Sequence, residues 1–327
     1  MTALTFFIFQ PPFIREFYQK GARIDMLSLQ LEIFLLLALG WFLASRRILA
    51  RNTRDQITSL VLNLVLPASI IRSFELDLTW EQFTTLSAVL FCSIGIQILY
   101  SIAAKLLWRK EPENHRINLC YGTLVSNAGF MGMPICEQLY GSIGLLCSSI
   151  FLIPQRIVMW SAGLSLYTAA DRRTAIRKVL LHPCIIALEL GVVILVLRMN
   201  GIGLPDCLDR TIGAVASCNT ALSMMMIGGM MADADKQDVF SPVVLVYSFV
   251  RLLSLPLIIW GCLSLLPVSR LALQVCVVLS AMPAASTTGM LAQKYHRSPA
   301  FASKLIFVST LFSMGTLPLI SWLVSLI

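Results

Sequence analysis

Two stretches of small, polar and helix-breaking residues interrupt otherwise apolar segments of the chain. They read SNAGFMGMP at residues 126–134 and SAMPAASTTG at residues 280–289. Proline lacks a backbone donor, and glycine unwinds without a Cβ penalty. An unpaired backbone group in hydrocarbon is costly, so a broken helix persists only where it is buried in protein or lines a watery cavity. Its free amide and carbonyl ends can then coordinate an ion or an anionic ligand.

The side chains in and beside these stretches are the candidate site residues. The sequence places the helix breaks at Gly129, Gly132, Pro134 and Pro283. The flanking polar residues are predicted to bind a ligand, and they are Ser126, Asn127, Ser286 and Thr287. Glycine and proline are common in membrane helices, so one break alone indicates only a kink. Two breaks with amide or hydroxyl side chains beside them favour a binding site.

A guanidinium and an amide stand together in the apolar segment IPQRIVMWSAGLSLY, residues 153–167. A charge near the centre of a membrane costs from about 2.5 to above 10 kcal/mol, so Arg156 should be functional or paired. We hypothesise that Arg156, with Gln155 beside it, faces the breaks and binds a carboxylate bidentately. The alternative is an internal ion pair with Glu137 or Glu189. These glutamates are also the candidate proton-titrating groups, and Glu189, in mid-segment, is the better one.

Asn63 offers one further polar contact. Pro67 follows it by four residues, which removes the helical partner of the Asn63 carbonyl. One residue thereby presents a side-chain amide and an unpaired acceptor. The alternative is a simple kinked helix.

The elements that must position these residues are membrane helices. The chain has 327 residues, of which 57% are hydrophobic and 13% charged, whereas soluble domains carry about 25% charged residues. Its mean hydropathy is +0.80. Windows of about 20 residues predict an all-α integral membrane protein with ten transmembrane helices. These lie at 27–45, 54–74, 83–107, 117–140, 143–168, 182–199, 211–232, 240–265, 271–293 and 301–325.

The net charge of +8 does not indicate a nucleic-acid partner, because the basic residues collect in alternate loops. The loops after the odd-numbered spans hold most of them, which makes those loops cytoplasmic by the positive-inside rule. Both chain ends are then predicted to lie outside. The basic tail 1–26 disagrees with that rule, and Met26 is a candidate natural start. No histidine or pair of aspartates lies at depth, so neither a metal site, a cofactor nor an intramembrane catalytic centre is expected.

The two breaks suggest an internal repeat. Dividing the chain into residues 27–170 and 182–327, with a cytoplasmic linker at 171–181, puts each break in the fourth span of its half. Because five spans is an odd number, the second half must enter the membrane inverted. Paired interrupted helices in inverted halves point to the binding site of a transporter.

Five motifs give the chain a family resemblance. They are LGWFLASRRILARN (39–52), LVLNLVLPASI (60–70), SNAGFMGMPI (126–135), MPAASTTGMLAQKY (282–295) and STLFSMGTLPL (309–319). In their order and spacing they resemble the auxin efflux carrier family, whose members share the PIN-like fold. The resemblance covers the chain from about residue 27 to its end. One departure is Arg156, where that family usually has an amide.

The resemblance implies a specific architecture. Broken spans four and nine would cross at the membrane midplane. Spans 1, 2, 6 and 7 would form a scaffold, and spans 3–5 and 8–10 a moving transport unit. Asn63 would then face the transport unit from the scaffold side.

The resemblance also implies carboxylate-bearing substrates: auxins for plant relatives, and malate or malonate for bacterial ones. The expected function is a secondary active transporter, an efflux carrier for a small organic anion such as a dicarboxylate, working by alternating access. The alternatives are a sodium-coupled organic-anion symporter of the bile-acid-transporter type and a membrane ligand sensor that moves nothing. An enzyme is not expected, and the coupling ion, H⁺ or Na⁺, stays open. The expected setting is a plasma membrane, the bacterial inner membrane, with a homodimer as a possible assembly.

Overall fold

The computed structural model describes residues 31–74, 79–167, 177, 180–200, 202–232 and 240–326. All regular structure in these ranges is helical, and the only extended pairing there is one isolated bridge. The tail 1–26, the candidate start Met26 and most of the linker 171–181 lie outside the described residues.

The helices follow the predicted spans, several of them in two pieces. Six stretches in the described ranges are long and apolar enough to cross a membrane: Asn52–Ser73, Trp80–Leu107, Ala128–Gly163, Asp206–Gly229, Pro242–Ser264 and Pro299–Ser325. We number the α-helices α1 Leu31–Ser45, α2 Arg51–Leu60, α3 Leu66–Ser73, α4 Trp80–Leu107, α5 Glu113–Leu124, α6 Met133–Val158, α7 Pro183–Met199, α8 Asp206–Ser217, α9 Asn219–Ala232, α10 Pro242–Phe249, α11 Leu255–Ser264, α12 Arg270–Ser280, α13 Ser286–Lys294 and α14 Pro299–Ser325. The protein is therefore an all-helical, multi-pass membrane protein.

Wide π-helical turns join several of these pieces. They occupy Val61–Val65, Ala128–Gly132, Met159–Gly163 and Val250–Ser254. In three of them a proline follows closely, and its missing N–H prevents the regular helical bond across the junction. Pro67, Pro134 and Pro256 hold these places. Such turns within helices are often found at functional sites.

Gly141 divides α6 into two helices. Its φ of 68° and ψ of −159° lie outside the helical region, in a conformation that favours glycine. A Cβ at Gly144 would collide with the Cys136 carbonyl, eight residues earlier, so the chain folds back sharply here. The bend falls between the predicted spans 117–140 and 143–168.

Helices α1 and α9 contact each other through their backbones. A side chain on Gly40 would collide with the carbonyl of Met225, and one on Gly228 with the carbonyl of Leu37. Small residues allow this close approach in a membrane, where packing takes the place of a hydrophobic driving force. From the neighbouring helix α2, the buried side chain of Arg54 donates a hydrogen bond through its Nη1 to the Gly229 carbonyl of α9.

Candidate functional site

The two interrupted segments hydrogen-bond to each other. The backbone N–H of Asn127 donates to the Pro283 carbonyl at 2.8 Å, and the N–H of Ala285 donates to the Val125 carbonyl at 3.4 Å. Between these bonds, Ser126 and Ala284 form an isolated antiparallel bridge. Each break therefore supplies partners for backbone groups that the other leaves open, as burial away from water requires.

The first break lies at the start of its glycine-rich stretch. Helix α5 ends at Leu124, and a π turn begins only at Ala128. The Asn127 carbonyl accepts hydrogen bonds from the N–H groups of Met131 and Gly132 at 2.9 and 3.3 Å. Gly129 and Gly132 thus lie within the π turn rather than in the gap. Pro134 lies in the first turn of α6, directly after the π turn, and its missing N–H prevents a regular helical bond across this junction.

The second break runs between α12 and α13. Residues 281–285 are all buried, and Pro283 lies at their centre. The Ala284 N–H donates to the Ser309 Oγ of α14 at 3.2 Å. Helix α13 then begins at Ser286, which is half-buried. The predicted stretch 280–289 thus contains both half-helix ends.

Gln155 fixes the first break through its side chain. Ser126 Oγ donates to Gln155 Oε1 at 3.0 Å, and Gln155 Nε2 donates back to the Ser126 carbonyl at 2.9 Å. Both residues are buried. Ser126 and Gln155, two of the predicted ligand-binding residues, are therefore hydrogen-bonded to each other, and their role in binding stays a prediction.

Tyrosines and a glutamine that we did not single out from the sequence complete the polar shell. Tyr121 Oη donates to Thr287 Oγ1 at 3.2 Å, which joins α5 to α13. From α4, Gln97 Nε2 donates to the Leu124 carbonyl at 3.0 Å. A buried glutamine in the apolar span 83–107 is a signal that could have revealed Gln97.

Arg156 follows Gln155 and is also buried, with 5% of the residue's surface exposed. Its Nη1 has no hydrogen-bond partner among the described residues. Within the described part of the chain, no ion pair joins Arg156 to Glu137 or Glu189, so the alternative of an internal pair is not observed there.

Glu137 instead contacts the seventh predicted span. Its Oε2 accepts a 3.3 Å hydrogen bond from Asn219 Nδ2, and Ser223 Oγ lies 3.4 Å from Asn219 Oδ1. Asn219 begins α9 directly after an interruption at Cys218 that the prediction of one span at 211–232 lacked. A buried asparagine at a helix junction thus links α6 to α9.

Two predicted residues lie apart from this cluster. Asn63 is exposed, and its Nδ2 donates to the Ser59 carbonyl and Oγ within its own helical segment, at 2.8 and 3.1 Å. Glu189 is exposed on α7, and its side chain has no hydrogen bond among the described residues. The sequence could not show which face of each helix turns towards the breaks.

A narrow apolar cavity lies beside the first break, between α1, α6 and α14. Its lining includes Leu37, Met131 and Met314, with Ser313 as a polar member. Its volume of about 20 Å³ exceeds what one water molecule needs but is too small for an organic anion. In this conformation the cavity is a gap between helices rather than a substrate chamber.

Paired helix breaks, buried in a multi-pass bundle and lined by amide and hydroxyl groups, are typical of membrane transporters. Residues 26–321 match the membrane transport protein family, so the chain belongs to it. This is the auxin efflux carrier family that the motifs resemble, and the resemblance is confirmed. The chain is accordingly a member of a family of transporters and not an enzyme.

Several archaeal and bacterial proteins are similar to this chain over nearly their whole length. An uncharacterized transporter of Methanothermobacter thermautotrophicus is 26% identical over 294 residues, which cover 88% of this chain and 95% of the relative. One of Methanocaldococcus jannaschii is 22% identical and covers 90% and 97%. The uncharacterized transporter YfdV of Escherichia coli K12 is 24% identical and covers 88% and 94%.

Proposed function

We propose that this protein is a secondary active carrier, and specifically an efflux carrier, for a small organic anion such as a dicarboxylate. The observation that carries the proposal is the mutual hydrogen bonding of the two breaks, at residues 125–127 and 283–285. Family membership supports transport as the activity. The buried Arg156, with a nitrogen left without a partner among the described residues, supports an anionic substrate.

The proposed architecture is ten spans in two inverted repeats of five, residues 27–170 and 182–327. In support, a break occurs in the fourth span of each half, at α5–α6 and at α12–α13. Spans 1, 2, 6 and 7 are the proposed scaffold, and spans 3–5 and 8–10 the transport unit. The gap between α1 and α6 lies along the border between these two groups.

Alternating access follows from this division. The transport unit would carry the crossed breaks past the scaffold and expose them to each side in turn. Glu137 and Asn219 lie on opposite sides of this border, so their contact must break and re-form in each cycle. The proposed setting is a bacterial inner membrane with both chain ends outside, and the proposed assembly includes a homodimer.

The coupling ion of the proposed carrier is not assigned, and two alternative functions stay open. A sodium-coupled organic-anion symporter would use the same crossed helices, and a ligand sensor would bind at the same breaks without moving the ligand. The apolar faces of the outer helices do not distinguish the carrier, the symporter and the sensor from one another. Flux and its cation dependence do.

The testing experiment is uptake of radiolabelled malonate or malate into proteoliposomes, with and without sodium and across an imposed pH gradient. Saturable uptake above that of protein-free liposomes supports the carrier. Binding measured by thermal shift without any flux indicates a sensor. Uptake only with inward sodium indicates the symporter. Absence of both binding and flux for mono- and dicarboxylates contradicts an organic-anion site.

A further inference from the structure

Arg251 is a positive charge that the fold encloses without a countercharge among the described residues. It lies in the π turn Val250–Ser254 and has no exposed surface. None of its three guanidinium nitrogens has a hydrogen-bond partner among the described residues. Its visible neighbour is the ring of Tyr100, whose centroid lies 4.6 Å from the guanidinium carbon. Since burying an uncompensated charge is costly, something nearby must stabilise it.

Two tyrosines near Arg251, Tyr100 and Tyr247, lie beside residues at the helix breaks. Tyr100 Oη donates to the Ser280 carbonyl, the last residue of α12, at 3.1 Å. Tyr247, one turn before Arg251, is completely buried, and its Oη has no hydrogen-bond partner among the described residues. That oxygen would lie 2.5 Å from a Cβ on Gly122, and the same Cβ would lie 3.6 Å from the Ala284 Cβ.

The carbonyl ends of two half-helices are held by side chains of α4, the helix whose Tyr100 ring contacts Arg251. Helix α5 ends at Leu124 and α12 at Ser280, and each end carries roughly half a negative charge. Gln97 and Tyr100, both on α4, donate to these two carbonyls. Two such ends together amount to about one negative charge. The guanidinium of Arg251, which lies over the Tyr100 ring, supplies the matching positive charge.

In carriers with broken helices, the carbonyl ends of half-helices coordinate the coupling cation. We propose that Arg251 is a built-in cation that balances these carbonyl ends permanently. Transport then needs no bound sodium or potassium. The inference rests on the proposed carrier function, but it does not depend on which anion is carried. It disfavours the sodium-coupled alternative.

The test compares wild type with Arg251→Ser, Arg251→Lys and the control Arg198→Ser, an exposed arginine at the end of α7. Flux into proteoliposomes is measured with choline, sodium or guanidinium as the monovalent cation at constant ionic strength. Wild type, Arg251→Lys and the control should transport equally in all three. Arg251→Ser leaves a space and removes the charge, so it should lose at least tenfold in choline and recover with guanidinium or sodium.

Three results would overturn the proposal. They are a sodium requirement in wild type, full flux of Arg251→Ser in choline, and a folded Arg251→Ser that no cation restores. Thermal unfolding of the same purified proteins in the same salts gives a readout without flux. Sodium or guanidinium should raise the unfolding temperature of Arg251→Ser but not of wild type. If no variant transports any anion, the carrier function fails, and the unfolding data still decide whether Arg251 replaces a cation.

Discussion

The backbone N–H of Asn127 donates a 2.8 Å hydrogen bond to the carbonyl of Pro283, across 156 residues of sequence. Both groups belong to helices that the chain interrupts inside the apolar bundle. A proline removes a donor but keeps its carbonyl, and here that carbonyl is the acceptor. The two interruptions therefore stabilise each other, and amide and hydroxyl groups collect around their contact.

Removing the Gln155 side-chain amide should loosen the first break. Gln155→Leu keeps the bulk but leaves the Ser126 hydroxyl and carbonyl without their partner. Leaving a buried polar group unsatisfied costs about 1–3 kcal/mol. We expect Gln155→Leu to lower the free energy of unfolding by that amount and to abolish flux, measured by denaturant titration in micelles and by proteoliposome uptake. Ser126→Ala removes one of the two hydrogen bonds and should cost less. Equal stability of wild type and Gln155→Leu would contradict the assigned contact.

Arg156 should be required for carboxylate binding but not for folding. Arg156→Gln restores the amide that the family usually has at this position, and it removes the positive charge. Hydrogen bonds to charged groups contribute about 1.5–3 kcal/mol, which predicts a loss of roughly tenfold to over a hundredfold in affinity for a dicarboxylate. Isothermal titration with malonate measures it. Arg198→Gln, at an exposed site, should bind as wild type does. If Arg156→Gln bound malonate with unchanged affinity, the Arg156 guanidinium would not be part of the binding site.

Glu137 is now the better candidate for a titrating group, because it bonds to Asn219 whereas Glu189 is exposed on α7. Protonation of Glu137 removes its negative charge at the α6–α9 contact, so flux should depend on pH through this residue. We expect Glu137→Gln to flatten the pH profile of flux and Glu189→Gln to keep it. Proteoliposome uptake measured from about pH 5 to about pH 8 compares both variants with wild type. The opposite pattern would return the role to Glu189.

The α1–α9 contact should tolerate no side chain. Gly228→Ala places a methyl group against the Leu37 carbonyl, and overpacking of this kind costs about 1–3 kcal/mol. Gly261→Ala is the matched control, because no atom lies within 4 Å of its Cβ position. We expect thermal unfolding in detergent to show a lowered midpoint for Gly228→Ala and an unchanged or raised midpoint for Gly261→Ala. Equal midpoints would mean that the two helices separate without cost.

The sequence was a good guide wherever backbone chemistry decided the outcome. Glycine and proline in apolar runs predicted both interrupted stretches, but in the first stretch the gap itself, at residues 125–127, contains neither and lies just before them. The bend at Gly141 falls between two predicted spans. Ser126 and Gln155 were both predicted site residues, and the structure joins them by two hydrogen bonds.

The sequence was a weaker guide wherever orientation decided the outcome. Asn63 and Glu189 are polar residues in apolar spans, yet both are exposed, because hydropathy does not give the rotation of a helix about its axis. The interruption at Cys218 was missed, since neither glycine nor proline marks it. Tyr100, Tyr121 and Tyr247 were missed because buried tyrosines look like ordinary apolar core until their hydroxyl neighbours are known.

The central claim, a substrate site at the crossed breaks that opens to both sides in turn, is tested most directly by labelling a cysteine placed at residue 286. The nine native cysteines are first replaced, and retained flux confirms a working background. Ser286→Cys, at the start of α13, is then exposed to a membrane-impermeant maleimide from either side. We predict labelling from both sides and slower labelling when a transported dicarboxylate is present. Labelling from one side only, at a rate that the dicarboxylate leaves unchanged, would contradict the claim.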